Sequence, residues 1–401
     1  MRLKTKSQVT MLMIVGLAIF IIVSLVLYLS KSAIRKQSQQ SIKKIQETAI
    51  DTQHIKEFVT KCVDKLAKDA IILLGRQGGH LYASQGGTLV DYSDTDEGLF
   101  FVKYNNINVA YNILPPKFAP PPYSSEIPDY PWQAFPYKTA ASSEEISDGF
   151  FGVSNMPPLN SSEGPNSLQS QIEKFIDRNM AGCANFNTFE KQGFEIAMNS
   201  TRTSAVIGSD DISIKSAIPI TITNPTTKET ARLGDFSSNL KIRLRDIYFF
   251  TKDLTDKDIK NIKFNISDIK NERDSISIKL IKDIFSNDDL VIITDEGSLI
   301  NGKPFEYMFA RKNRAPALNY IRQDTFSFSG NYQINQADII REPLRASDPD
   351  EDNYSFNILI GESGNIPAQF PRKLSIPQIK FRVEVSDGQL RDYQIITVNR
   401  I

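Results

Sequence analysis

Histidine, cysteine and tryptophan are scarce in this sequence of 401 residues, which has two, two and one of them, respectively. The two histidines, His54 and His80, exclude a zinc site built on three histidines and leave one at most for any catalytic arrangement. A net charge is also lacking, since 47 lysines and arginines balance 47 aspartates and glutamates. A protein that follows a nucleic-acid backbone normally carries a basic excess, so we expect no nucleic-acid partner.

One long apolar run lies near the start of the chain. Residues 9–29 contain no charged side chain, and this length matches a helix that crosses a hydrocarbon core of about 30 Å. The alternative, a cleaved secretory signal, needs a shorter apolar core followed by a small-residue cleavage site. We therefore predict a short cytoplasmic tail at 1–8, a transmembrane helix at 9–29 and a helical stalk at 30–49.

The basic residues around this run give no simple answer about its orientation. More of them follow the run than precede it, which by the positive-inside rule favours a cytoplasmic C-terminal part. The start Lys6-Ser7-Gln8-Val9-Thr10 resembles the type IV prepilin-like start of archaeal surface proteins, in which the basic residues stay inside. This resemblance implies a single-pass protein with its C-terminal part outside the cell. The glutamate that assembling pilins carry at the fifth mature position is missing, which disfavours the alternative of a pilin-like filament subunit.

Two segments beyond the stalk place apolar residues at the spacing of an amphipathic helix. The first runs from Ile55 to Leu74 and carries Cys62 on its apolar stripe, and the second follows Asn166 and carries Cys183 on its stripe. A disulfide between them would close a long loop and would suit an oxidising compartment. The alternative is two unpaired core residues, because free cysteine is often buried.

Residues 50–311 are predicted to form one α+β domain. Asn105-Asn106 between two apolar runs predicts a hairpin, and alternating isoleucines from 212 to 222 predict a strand that pairs with 229–233. Helical spacing returns at 236–254. Residues 115–165 are rich in proline, serine and aromatic residues and predict an extended loop.

The end of the chain, residues 312–401, has short alternating strands separated by turn clusters, which predict a β-sandwich. Its motifs are Asn313-Arg314-Ala315-Pro316, then 346–356, then 381–388, and a closing strand at 393–398. This order resembles the cadherin-like, immunoglobulin-like domains of prokaryotic surface proteins. The preceding pattern, two cysteine-bearing helices with the turn Leu73-Leu74-Gly75-Arg76-Gln77-Gly78-Gly79 after the first, is similar to membrane-anchored surface proteins of archaea that have no assigned activity.

An acidic loop lies in this C-terminal part. Asp348, Asp350 and Asp352 alternate, so their carboxylates can converge on a hard cation, and Ca²⁺ takes six to eight oxygen ligands. The cadherin-like resemblance implies Asp387 as a fourth candidate calcium ligand and Asn313, near the domain junction, as a further one. The alternative is a solvated acidic turn without a metal.

These features together predict a non-enzymatic, single-pass, membrane-anchored cell-surface protein that serves adhesion or envelope structure. We expect the membrane as a partner of the N-terminal helix, and a surface protein or glycan as the partner of the ectodomain. A surface-anchored hydrolase is the alternative, with Asp94 and Asp96 or Glu144 and Glu145 as its acid and base. Paired acids in loops rich in serine and glycine are more often solvated turns, so we predict no catalytic residue and no organic cofactor.

Overall fold

The computed structural model describes residues 52–115, 137–138, 145–146, 151–321, 323–330, 332–373 and 375–401. The predicted tail, transmembrane helix and stalk lie outside these residues, as does most of the loop at 115–165. No helix in the described ranges is long and apolar enough to span a membrane. The chain divides into two compact units. The first comprises the described residues up to Glu57 with Phe186–Asn199 and Pro219–Gly234, and the second comprises Phe58–Asn185, Ser200–Ile218 and Asp235–Ile401.

The helices of the described residues follow the amphipathic patterns of the sequence. Ser167 begins the second helix as its N-cap, where its hydroxyl accepts a hydrogen bond of 3.1 Å from the backbone N–H of Ser170. The five helices are α1 Gln53–Arg76, α2 Leu168–Cys183, α3 Asn187–Glu190, α4 Leu244–Lys260 and α5 Gln336–Ile339.

A disulfide joins α1 to α2 through Cys62 and Cys183, which are 121 residues apart in the sequence. The predicted pairing is therefore confirmed, and the alternative of two unpaired cysteines is wrong. Cys62 is buried because it lies on the apolar stripe of α1, as the spacing indicated.

Strands make up much of the rest of the described chain, which is a mixed α+β protein. They are β1 Phe101–Tyr104, β2 Ile107–Leu114, β3 Tyr137–Lys138, β4 Glu145–Ile146, β5 Val153–Ser154, β6 Glu195–Met198, β7 Arg202–Ile207, β8 Ile212–Thr223, β9 Thr230–Leu240, β10 Ile276–Phe285, β11 Asp288–Ile300, β12 Lys303–Arg311, β13 Ala317–Leu318, β14 Thr325–Phe328, β15 Gln333–Ile334, β16 Ala346–Ser347, β17 Ser355–Ile360, β18 Ile366–Pro367, β19 Arg372–Lys373, β20 Gln378–Ser386 and β21 Arg391–Arg400.

The first large sheet of the second unit has the order β1-β2-β12-β11-β10, with β5 paired to the end of β2 at Ile113 and Leu114. Its neighbours are antiparallel except for β2 and β12, which run parallel. The predicted hairpin between β1 and β2 is confirmed, because Asn105 and Asn106 both adopt the positive φ that its tight turn requires. One face of this sheet buries a cluster that includes Val102, Tyr111 and Leu290.

The segment 236–254 corrects part of the helix prediction. Residues 236–240 are the end of β9, and the helix α4 begins only at Leu244. Phe236 and Leu240 are buried four positions apart, a spacing that suits one face of either a strand or a helix. Residues 236–240 form a strand rather than a helix because β9 pairs with β8.

A second sheet lies in residues 325–400 and has the order β14-β21-β20-β17-β18. All its neighbours are antiparallel except β14 and β21. Two short pairs, β13 with β16 and β15 with β19, accompany it. Its buried side chains form a cluster of their own, which includes Phe326, Phe381 and Val398. Both sheets belong to the second compact unit.

Candidate functional site

The acidic loop lies against the end of β12 within the second unit. Arg311 is the last residue of β12, and Arg314 follows it in the segment that leads to β13. Both arginines are among the largest fully buried side chains of the described chain, with exposed fractions of 1% and 0%. Arginine is almost never buried to this extent unless its charge is paired, so the partners of these two side chains define the site.

Asp350 is the main partner of Arg314. The backbone N–H of Arg314 donates to Asp350 Oδ2 at 2.7 Å, and Nη2 of its guanidinium donates to Asp350 Oδ1 at the same distance. The guanidinium also donates to three backbone oxygens, those of Phe151 at 2.8 Å, Pro349 at 3.0 Å and Asp258 at 3.4 Å. A planar fork with several donors suits this arrangement better than the single ammonium group of lysine.

Arg311 connects the same loop to two other elements. Its Nη1 donates to Asp258 of α4 at 2.9 Å, and its Nη2 donates to Asp289 of β11 at 2.6 Å. Its Nε lies 3.2 Å from Asp350 Oδ1. Asp258 also forms an ion pair of 2.8 Å with Arg314. Two buried cations and three buried carboxylates therefore form one network, which we call the arginine junction: Arg311, Arg314, Asp258, Asp289 and Asp350.

Lys282 of β10 closes the network on its outer side. Its ammonium group donates to the backbone oxygen of Asp350 and to Asp352 Oδ1, the latter at 2.8 Å. Asp289 lies 3.5 Å from the same nitrogen. The acidic loop is thus in contact with β10 as well as with the end of β12.

The pKa values in the arginine junction reflect a balance between burial and pairing. Burial by itself would raise the pKa of Asp350, but the charges of Arg314 and Arg311 outweigh burial, and the pKa is lowered. Burial would likewise lower the pKa of Arg311, but Asp258, Asp350 and Asp289 raise it instead. Arg311 and Asp350 are therefore ionised at neutral pH, whereas burial raises the pKa of Asp289 despite the nearby charge of Arg311.

The other predicted calcium ligands differ in how many of their side-chain oxygens already accept hydrogen bonds. Asp348 Oδ1 accepts hydrogen bonds from the backbone N–H groups of Asp350 at 2.8 Å and Asp352 at 3.0 Å. Asp387 accepts one from the side chain of Asn313 at 3.0 Å, in addition to two from backbone N–H groups of its own turn. One buried oxygen each of Asp348, Asp352 and Asn313 has no hydrogen-bond partner in the described chain.

Burial and the nearby Asp350 carboxylate raise the pKa of Asp348 to about 7. The charged form of Asp348 is therefore disfavoured in the folded protein. No group of three or more histidine, cysteine, aspartate or glutamate side chains in the described ranges is placed to hold a metal ion.

The carboxylate pairs considered for a hydrolase lie in different surroundings. Asp94 is exposed and forms an ion pair of 2.7 Å with Lys103. Asp96 accepts hydrogen bonds from the backbone N–H and the hydroxyl of Ser93 and so shapes a surface turn. The side chains of Glu144 and Glu145 lie outside the described residues.

Sequence reasoning found the acidic loop but missed its counter-ions. Asp258 and Asp289 lie on elements far from the loop in sequence, and no local pattern connects them to it. One signal was available, because Arg311 directly continues the apolar run Phe305 to Ala310 and Arg314 lies three residues further on. Charges that continue a buried strand need buried partners, so the two arginines predicted that some of the chain's carboxylates are buried with them.

Comparison with known proteins adds no functional assignment. No protein-family model matches this sequence, and no curated protein matches it. The function is therefore inferred from the residues and contacts of this chain.

Proposed function

We propose that this protein is a non-enzymatic, single-pass cell-surface protein, anchored by residues 9–29, whose remaining part lies outside the cell. The disulfide between Cys62 and Cys183 is the observation that carries the proposal. Disulfides persist in oxidising compartments and are rare in the cytoplasm, where thiols are kept reduced. A disulfide that links two helices also suits a domain that must stay folded without intracellular chaperones.

Alkylation of the cysteines tests this placement. The protein is recovered from cells into denaturant with a maleimide and without reductant, and its mass is measured. We expect no label before reduction and two labels after it. A Cys62→Ser variant is the matched control, since it should take one label at Cys183 without reduction. Two labels on the unreduced wild-type protein would contradict an ectodomain outside the cell.

Residues 312–401 are proposed to form a cadherin-like, immunoglobulin-like β-sandwich that serves adhesion or envelope structure. The largely antiparallel sheet of β14, β21, β20, β17 and β18, with its own buried cluster, supports this proposal. The two short strand pairs beside the sheet do not belong to its hydrogen-bonded ladder. A sandwich needs such additional strands for its second layer. A surface protein or a glycan is the partner that such a module would bind.

Calcium belongs to this proposal as a ligand of the acidic loop. The side chains that fit it are Asp348, Asp352 and Asn313, because each keeps a buried oxygen without a hydrogen-bond partner, and calcium prefers oxygen ligands. A bound calcium ion would neutralise the negative charge at the edge of the loop. Asp350 fits less well, since its carboxylate is already paired with Arg314 and Arg311.

A further inference from the structure

Protein cations occupy the side of the acidic loop that lies against β12. Both oxygens of the Asp350 carboxylate accept hydrogen bonds of 2.7 Å from Arg314. Arg311 lies 3.2 Å from the same carboxylate, and Lys282 donates to the backbone oxygen of Asp350. These contacts place three positive charges around one aspartate of the loop.

A calcium ion and these cations would compete for the same oxygens. Calcium binds its oxygen ligands directly, so Asp350 could become a ligand only if Arg314 gave up its bidentate contact. Arg314 is fully buried, and without Asp350 it would keep Asp258 as its remaining carboxylate partner inside the protein. The free-energy cost of that loss is high, because Asp258 would then be shared between two buried guanidinium groups.

We propose that Arg311 and Arg314 are the resident cations of the acidic loop and that Asp350 is a positioning residue rather than a calcium ligand. The arginine junction then holds the loop to α4, β11 and the end of β12 without any metal. Residues 312–401 keep their place on the preceding sheet of the same unit when calcium is removed. Calcium at Asp348 and Asp352 is a separate property, so the inference does not depend on the proposed function.

Trypsin offers a direct readout, because its cleavage sites Arg311, Lys312 and Arg314 lie in the segment that the junction holds. Cleavage of a folded protein requires local opening, and its rate follows the population of the open form. The full chain in detergent is digested with 1 mM calcium or with excess EDTA, and mass spectrometry follows cleavage after these three residues. We compare the wild type with Asp350→Asn and with Glu351→Gln, a matched control at the exposed neighbour.

We expect slow cleavage of the wild type under both conditions and a rate about tenfold or more higher in Asp350→Asn, again under both. Glu351→Gln should behave like the wild type. Arg314→Lys keeps the charge but loses the fork, so its rate should rise with and without calcium; this variant carries the test if Asp350→Asn does not fold. The proposal is overturned if EDTA alone makes the wild type as susceptible as Asp350→Asn, or if Asp350→Asn is cleaved at the wild-type rate in EDTA.

Discussion

Asp392 is a buried carboxylate at the start of β21, where it holds two backbone segments together. One of its oxygens accepts a hydrogen bond of 2.8 Å from the N–H of Leu318 in β13, and the other accepts one of 2.9 Å from Tyr393. Burial raises the pKa of Asp392 to about 7, although both hydrogen bonds and Arg382 act in the opposite direction. The charged form is therefore disfavoured in the folded protein.

This raised pKa predicts a pH dependence of stability. A carboxyl group with a higher pKa in the folded than in the unfolded state stabilises the fold fully below pH about 4, and this contribution is lost as the pH rises through about 7. The loss should be on the order of 2–4 kcal/mol. Urea unfolding of the full chain at pH 5 and pH 8 measures it. Asp392→Asn should reduce the loss, whereas Asp324→Asn, at an exposed position, should not; an equal loss in both variants would contradict this account.

At the residue scale, the sequence predicted which aspartates lie together but not what they contact. Alternation placed Asp348, Asp350 and Asp352 in one loop, and the structure confirms that loop between β16 and β17. Whether a carboxylate meets water, a metal ion or an arginine depends on residues distant in sequence. For Asp350 the deciding partner lies 36 positions earlier, at Arg314, beyond the reach of any local pattern.

At the scale of elements, the acidic loop divides into two parts with different expected behaviour. Asp350 belongs to the arginine junction, while Asp348 and Asp352 each keep one buried oxygen without a hydrogen-bond partner in the described chain. Glu351 adopts a positive φ, the left-handed conformation that favours glycine. The chain therefore turns at Glu351, between Asp350 and Asp352.

The unpaired part of the loop predicts the effect of adding and removing calcium. A ligand that binds only the folded state at a concentration of 100 times its dissociation constant stabilises that state by about 2.7 kcal/mol. Thermal unfolding of the full chain in 1 mM calcium and in excess EDTA should therefore show a higher Tm with calcium. Asp348→Asn keeps the oxygen that accepts the backbone hydrogen bonds, so it should abolish the rise without a large loss of stability in EDTA. An unchanged rise in this variant, or no rise in the wild type, would contradict calcium binding at Asp348.

Elements with a strong local pattern were predicted well. The apolar stripes of α1 and α2 gave both helices and the facing cysteines, and Asn105-Asn106 gave the first hairpin. The prediction was wrong at 236–240, because the spacing of Phe236 and Leu240 suits either a helix or a strand. There the pairing partner, β8, decides the structure, and a single segment cannot reveal its partner.

At the scale of the whole molecule, the two sheets of the second unit bury separate apolar clusters. Polar contacts of the arginine junction and a small apolar cluster that includes Phe151, Ile262 and Ala315 join residues 312–401 to the preceding part of the unit. Hydrophobic contacts tolerate small shifts in position, whereas bidentate ion pairs fix both distance and direction. Such a connection suits a module that must present its outer surface in a constant orientation.

Accessibility on intact cells tests the placement of this protein most directly. An epitope tag is added after Ile401, and whole cells are treated with a protease that cannot cross the membrane, with a cytoplasmic protein as the internal control. We expect the tag to be lost from intact cells while the cytoplasmic control stays protected. A tag that is digested only after lysis would place residues 312–401 inside the cell and would contradict a surface function.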